Sequence, residues 1–217
     1  AIAQRSPSAL ATSKVLRNTY MLLSLTLLFS GFTAAISMAM NMPPMTYLIS
    51  VIGAMVIAMF VLPRFANSTA GIGIVFLVTG MLGFGLGPML SMYAALPNGG
   101  NIIMLSLGGT GTIFLGLSAY VLATRKDFSF LGGFLMVGFL LVLIAAVANI
   151  FLAIPAMSLM ISAVVIMIMS GFILYDTSRI INGGETNYVM ATIGLYMTIF
   201  NIFISLLHIL GIMGGDD

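Results

Sequence analysis

The chain has 217 residues, of which 61% are hydrophobic and only 6% charged, against roughly a quarter charged in an ordinary soluble domain. That leaves too little polar surface to cover a soluble globule, and far too much apolar surface for a disordered chain. A net charge of +2 excludes a nucleic-acid footprint, and the lack of cysteine excludes disulfides, thiolate metal sites and cysteine nucleophiles.

The few charges mark out the spans. Between Arg17 and Arg64 lie 46 uncharged residues, between Arg64 and Arg125 60, between Asp127 and Asp176 48, and between Glu185 and Asp216 30. A transmembrane helix needs about 20 apolar residues. The first three intervals therefore each hold two helices and a turn, and the last holds one. Strands of a membrane barrel would instead alternate over ~10 residues. The chain reads as an all-α membrane protein of seven transmembrane helices. Residues 1–18 form a tail, 19–213 the membrane domain and 214–217 a short second tail.

The first tail carries Arg5, Lys14 and Arg17 and is expected to be flexible at least before Lys14. Such a basic tail serves as a topology signal or as a handle for a partner. The first helix is expected near 20–40. Its apolar run is longer than the 7–15 residues of a signal-peptide core, so an uncleaved anchor is expected. Asn41-Met42-Pro43-Pro44 turns the chain into a second helix near 45–62, ending at Arg64.

The third and fourth helices, near 70–93 and 102–123, flank Leu96-Pro97-Asn98-Gly99-Gly100. They hold Gly80, Gly83, Gly85 and Gly87, then Gly108, Gly109, Gly111 and Gly116. Small residues let membrane helices approach closely. Gly85-Leu86-Gly87-Pro88 also admits a broken helix that opens backbone groups to a cavity.

The fifth and sixth helices, near 131–152 and 157–176, flank Ile154-Pro155-Ala156. Asp176 closes the sixth apolar run, either as a hydrated interfacial cap or paired with Arg64 or Arg179. The seventh helix, near 189–212, carries Thr198, Asn201, Ser205 and His208 within an arc of about 80°. Two readings of this stripe stand side by side: hydrogen bonding between helices, or the lining of a polar pathway. His208 titrates near neutral pH in its ordinary state, but a lone histidine is more often a structural hydrogen bonder.

All seven Lys and Arg fall on one side of this topology, which sets the amino terminus in the cytoplasm and the carboxyl terminus in the periplasm. The sequence holds no H-E-x-x-H, no G-x-S-x-G and no Walker loop. The expectation is a protein that is not an enzyme and needs no cofactor or resident metal.

Several segments carry a family likeness. They are Lys14-Val15-Leu16-Arg17-Asn18-Thr19-Tyr20, Ser118-Ala119-Tyr120-Val121-Leu122, Thr124-Arg125-Lys126-Asp127 and Ser129-Phe130-Leu131-Gly132-Gly133. Further along come Ala148-Asn149-Ile150-Phe151-Leu152, Leu174-Tyr175-Asp176-Thr177, Gly183-Gly184-Glu185-Thr186-Asn187-Tyr188 and the run from Leu195 to Phe203. Through them the chain resembles the transmembrane Bax inhibitor motif (Bax inhibitor-1) family over its whole length, and most closely its proteobacterial branch.

The resemblance implies six helices around a central seventh. In some members of the family an aspartate pair on the sixth and seventh helices senses pH for a calcium leak. The first position matches Asp176, whereas the second matches Thr198. Two close carboxylates share a proton, and a carboxylate beside a threonine does not. A leak built here would use Asp176, Thr198, Asn201 and Arg64 as pore or gate, with calcium as the transported ion.

The branch implies a different principal role. Its members sit in the bacterial inner membrane, bind the membrane-anchored ATP-dependent protease FtsH and restrain its degradation of membrane proteins. Arg5, Lys14, Arg17, Arg125 and Lys126 are the contacts this implies, with the bilayer as the other partner and no role for nucleic acid. A graspable tail on a bundle that resists extraction would compete with the protease's substrates.

Overall fold

The computed structural model describes residues 9–214, with side chains from residue 12 onward. Arg5, one of the expected contacts, lies outside the described residues. Among the described residues all regular structure is helical, and seven helices are long and apolar enough to cross a membrane. They are α1 (Ala9–Ala39), α2 (Met45–Phe65), α3 (Thr69–Ala94), α4 (Gly99–Thr124), α5 (Leu131–Leu152), α6 (Pro155–Ile181) and α7 (Tyr188–Gly214).

All seven expected spans are present, and most run further than the apolar stretches. Helix α1 starts at Ala9, so Lys14 and Arg17 stand on a helix. Helix α6 continues to Ile181, so Asp176 and Arg179 lie within it. Hydropathy marks what sits in hydrocarbon, whereas the backbone ladder carries on into the interface. A left-handed Gly183 (φ 77°) follows the end of α6, a conformation that glycine adopts without a Cβ penalty.

The chain divides into two compact units. One takes the chain up to Ala95 together with Gly183–Tyr196, and the other takes Leu96–Asn182 together with the chain from Met197.

In the first unit α1 and α2 both pack on α3. The contact is made by missing side chains. Gly83 faces the Ser30 carbonyl and the hydroxyls of Ser30 and Thr33, while Gly87 faces Ser37. Gly80 abuts the Phe29 ring, and Gly85 faces Ser50 of α2. A methyl at Gly83 would overlap the Ser30 backbone. The glycine run thus serves close approach, and α3 continues unbroken through Pro88. The broken-helix alternative does not occur.

Helix α2 contains a feature not read from the sequence, a π-helical stretch at Ile57–Val61 just ahead of Pro63. Proline has no N–H to donate, and its ring crowds the preceding turn. A widened turn is one way a helix absorbs that conflict. The Arg64 Nη1 donates to the Phe60 carbonyl at 2.9 Å, so this arginine supports its own helix end.

In the second unit α6 packs on both α4 and α5. Leu135 fits against Gly171, Ile168 against Gly138, and the Tyr175 ring against Gly132. Helix α7 meets α4 through Leu206 on Gly109 and Gly214 on Ile102. Helices α3 and α7 are the most enclosed of the seven, and α5 is the least. Phe134, Leu141, Ile150 and Phe151 of α5 all face outward, as a helix surrounded by lipid requires.

Candidate functional site

In the first unit the start of α7 is fixed by Asn187. Its Oδ1 accepts from the backbone N–H groups of Val189 (2.9 Å) and Met190 (3.1 Å), the arrangement of a helix N-cap. Its Nδ2 donates to the Ala66 carbonyl at 3.1 Å and to Asn67 Oδ1 at 2.8 Å. Glu185 Oε1 accepts from the Asn187 N–H at 2.9 Å. The loop before α7 is thereby tied to the α2–α3 loop, beside Arg64.

One turn further on, Thr192 donates to the Tyr188 carbonyl. Tyr196, 1% exposed, shares a 2.5 Å hydrogen bond with Ser30 of α1 and donates to the Thr79 carbonyl of α3. Lys14, Arg17 and Arg64 are all exposed.

In the second unit the α4–α5 loop carries the other expected contacts. Arg125 caps α4 in a left-handed conformation (φ 53°), its N–H donating to Val121. Lys126 Nζ donates to the Tyr120 hydroxyl at 3.2 Å. Asp127 accepts from the Ser129 hydroxyl at 2.5 Å and from its amide at 2.8 Å. Those bonds, the hydroxyl's first, hold the carboxyl below its ordinary value of 3.8. The Phe128 N–H donates to Ser178 Oγ at 3.0 Å, which fastens the loop to α6. Arg125, Lys126 and Asp127 remain exposed on this fixed loop. The guanidinium of Arg179 stacks over the Tyr175 ring at 5.4 Å.

Asp176, Thr198 and Asn201 also belong to the second unit, whereas Arg64 belongs to the first. Asp176 is half-buried, and Thr198 is 4% exposed. Asn201 Nδ2 donates to the Met197 carbonyl of its own helix at 2.8 Å. Of the α7 stripe, Thr198 and Ser205 are buried, with Asn201 and His208 half-buried.

His208 Nδ1 shares a 2.9 Å hydrogen bond with Ser162 of α6. This is the interhelical bonding anticipated for the stripe, with a partner the sequence did not indicate. Asn149 and Ser158, whose side chains bond at 2.7 Å, were also missed. Together with His208 and Ser162 they line a cavity of about 320 Å³. The visible signal was Ser158 and Ser162 four residues apart on α6, and serines at that spacing commonly bond only to their own helix.

A family model described as inhibitor of apoptosis-promoting Bax1 matches residues 12–215. The chain belongs to this family. The resemblance drawn from the motifs is thereby confirmed. An Escherichia coli (strain K12) protein named modulator of FtsH protease YccA is 53% identical over 209 residues, covering 96% of this chain and 94% of the relative. The same identity and coverage hold for a protein of Escherichia coli O6:H1 named inner membrane protein YccA. An uncharacterized membrane protein of Vibrio cholerae is 50% identical over 208 residues, covering 96% and 93%. Seven spans and these relatives make the family member described here a multi-pass protein of the bacterial inner membrane.

Proposed function

We propose that this chain binds an FtsH-type ATP-dependent membrane protease and restrains its action on membrane substrates, without being an enzyme itself. The observation that carries the reading is the 53% identity, across nearly all of both chains, to a relative named modulator of FtsH protease. The basic residues support it. Lys14 and Arg17 are exposed on the first helix, and Arg125 and Lys126 are exposed on a loop pinned to α6. All of them take the cytoplasmic side when the basic loops face inward.

A protease that pulls on a tail must then unpack the helices behind it. In the first unit, α1 is packed closely on the glycines of α3, and Tyr196 bonds to both helices. Resistance to extraction follows from that packing, with α7 serving as the central helix. A protease that grips residues 1–18 and stalls is occupied, and its other substrates wait.

The test is to delete residues 1–13 and to neutralise Arg125 and Lys126 in separate variants. Co-purification with the protease and the lifetime of a membrane substrate are then measured. The reading expects the deletion to release the protease and shorten that lifetime. An unchanged effect after the deletion would show that the tail is not the grip.

A second reading, a cation leak, draws on the buried polar stripe of α7 and on Asp176 in the same unit. In it Asp176, Thr198 and Asn201, all of the second unit, line the path. Threonine at position 198 argues for a leak without a shared-proton gate.

A further inference from the structure

At the end of the second unit that lies away from the Arg125–Lys126 loop, α5, α6 and α7 line an open cavity of about 320 Å³, bounded by Ala146, Asn149, Ile150, Ser158, Ile161, Ser162 and His208. Its walls are mostly apolar, with four polar side chains converging on it, the usual makeup of a small-ligand site. Of the groups lining it, His208 belongs to the α7 stripe on which the leak reading draws, whereas Asn149, Ser158 and Ser162 belong to neither reading.

The hydrogen bonds give the cavity its chemical sign. Asn149 Nδ2 donates to Ser158 Oγ at 2.7 Å, and Asn149 Oδ1 accepts from the Ile154 N–H at 3.2 Å. Ser158 therefore receives a hydrogen and keeps its own to give. When His208 is charged, both ring nitrogens are donors, so Ser162 must accept from Nδ1 and its hydrogen is free as well. Ser158 lies in the first turns of α6, whose positive dipole end is here, and α6 is 27 residues long.

Among the described residues no carboxylate opposes this field; Asp216 and Asp217, which follow α7 in the sequence, lie outside the described residues. The α5 segment has no ionisable side chain, and α4 has only Tyr120, held by Lys126 at the other end. On α6 the ionisable groups are Tyr175, Asp176 and Arg179, beginning 13 residues beyond Ser162, about 20 Å along the helix. On α7 only Tyr188 and Tyr196 join His208, and the nearer, Tyr196, lies 12 residues before it. His208 is the one ionisable side chain among the described residues at this end of the second unit.

We propose that this cavity binds a tetrahedral oxyanion of the phosphate class, held by the hydroxyls of Ser158 and Ser162 and by protonated His208. Under the orientation that puts the basic loops inside, the site opens toward the periplasmic face. Two sources offer the same chemistry, a lipid headgroup phosphate and free phosphate. The apolar walls from Ala146, Ile150 and Ile161 suit either a headgroup with its glycerol carbons or a small phosphate ester.

His208 is the only histidine in the chain, so its ring resonances report on the site without ambiguity. The full-length protein is labelled at histidine and held in a phosphate-free maltoside micelle. Inorganic sulfate, whose charge stays constant, is titrated at pH 5.5 and at pH 8, with chloride at matched ionic strength as control. Inorganic phosphate and phosphatidylglycerol are then added in separate arms.

Sulfate is expected to move the His208 resonances saturably at the lower pH and to bind about tenfold or more weakly at the higher one, where imidazole is neutral. A response to free phosphate names the soluble source, and a response only to phosphatidylglycerol names the headgroup. Ser158→Ala is expected to weaken binding several-fold while leaving the Ser162–His208 pair in place. Equal binding at both pH values, equal binding by Ser158→Ala, or a chloride response matching that of sulfate overturns the site. A His208 that never responds to any of the anions, or resonances moved only through general salt, shows an adventitious ion only and overturns it as well.

Discussion

Tyr196 and Ser30 lie 166 residues apart in the chain and meet in a 2.5 Å hydrogen bond between α7 and α1. The Tyr196 hydroxyl also donates to the Thr79 carbonyl of α3. A phenol has one hydrogen, so Ser30 supplies the hydrogen of the shared bond. One side chain thereby links three helices of the first unit at a point that is almost wholly buried.

Tyr196→Phe keeps the ring and removes both bonds. Interhelical hydrogen bonds in membranes contribute about 0.6–2 kcal/mol, and the variant also leaves Ser30 without its partner. A loss of about 1–2 kcal/mol is expected. Thermal unfolding in detergent, followed by circular dichroism, measures it. A double-mutant cycle with Ser30→Ala should recover most of the loss as coupling between the two positions.

The α1–α3 contact makes a sharper prediction. Gly83→Ala places a methyl into the Ser30 carbonyl, where rigid backbone cannot yield. Overpacking of this kind costs about 1–3 kcal/mol. Gly73→Ala lies on the same helix with nothing near its new methyl, and it should be neutral or slightly stabilising. Equal melting temperatures for the two variants would contradict the packing described. If tight packing is what resists extraction, Gly83→Ala should also be degraded faster by the protease than the parent chain.

Asn187 should behave as a cap and a tie together. Asn187→Ala removes the acceptor for Val189 and Met190 and the donors to Ala66 and Asn67. A loss of about 1–2 kcal/mol is expected. Asn187→Asp keeps the cap and loses only the donors, so it should fall between the two. Hydrogen exchange at the amides of Val189 and Met190 distinguishes them: fast in the alanine variant, protected in the aspartate variant.

The α4–α5 loop carries a pH signature of definite sign. The Ser129 hydroxyl and amide hold the Asp127 carboxyl below 3.8. The unfolded chain binds a proton first as pH falls, so the contribution of Asp127 is complete above 3.8 and disappears as pH drops through the lower folded value. Ser129→Ala removes the leading cause and should bring the carboxyl back toward its ordinary value. Carbon-detected titration of Asp127 reads this directly. The loop is exposed, so the change in global stability should be small.

The leak reading is tested by calcium flux into liposomes at pH 6 and pH 8, with Asp176→Asn alongside. A leak without an aspartate pair should show little pH dependence between those values. Steep pH dependence abolished by Asp176→Asn would mean that one carboxylate suffices for gating.

Much of this architecture was legible because charge is so costly in hydrocarbon that twelve charged residues define the spans. The ends were less legible. Lys14 and Arg17 are polar yet helical, since the ladder continues into water where hydropathy has no signal. The π-helical stretch at Ile57–Val61 had only Pro63 to announce it. The site residues divide in the same way. The α7 stripe was visible because it repeats at helical spacing on one element. Its partner was not: Ser162 lies 46 residues from His208, and only folding brings them together. The role of Asn187 was hidden for the same reason, as its partners Ala66 and Asn67 lie about 120 positions away.

The central claim is tested most directly by reconstitution. An FtsH-type protease and a membrane substrate are placed in liposomes with ATP, and the rate of substrate loss is measured with and without the full-length chain. The account predicts slower loss with the intact chain, saturating as it is added, and a restored rate when residues 1–13 are removed. An unchanged rate at saturating amounts of correctly folded protein would contradict it.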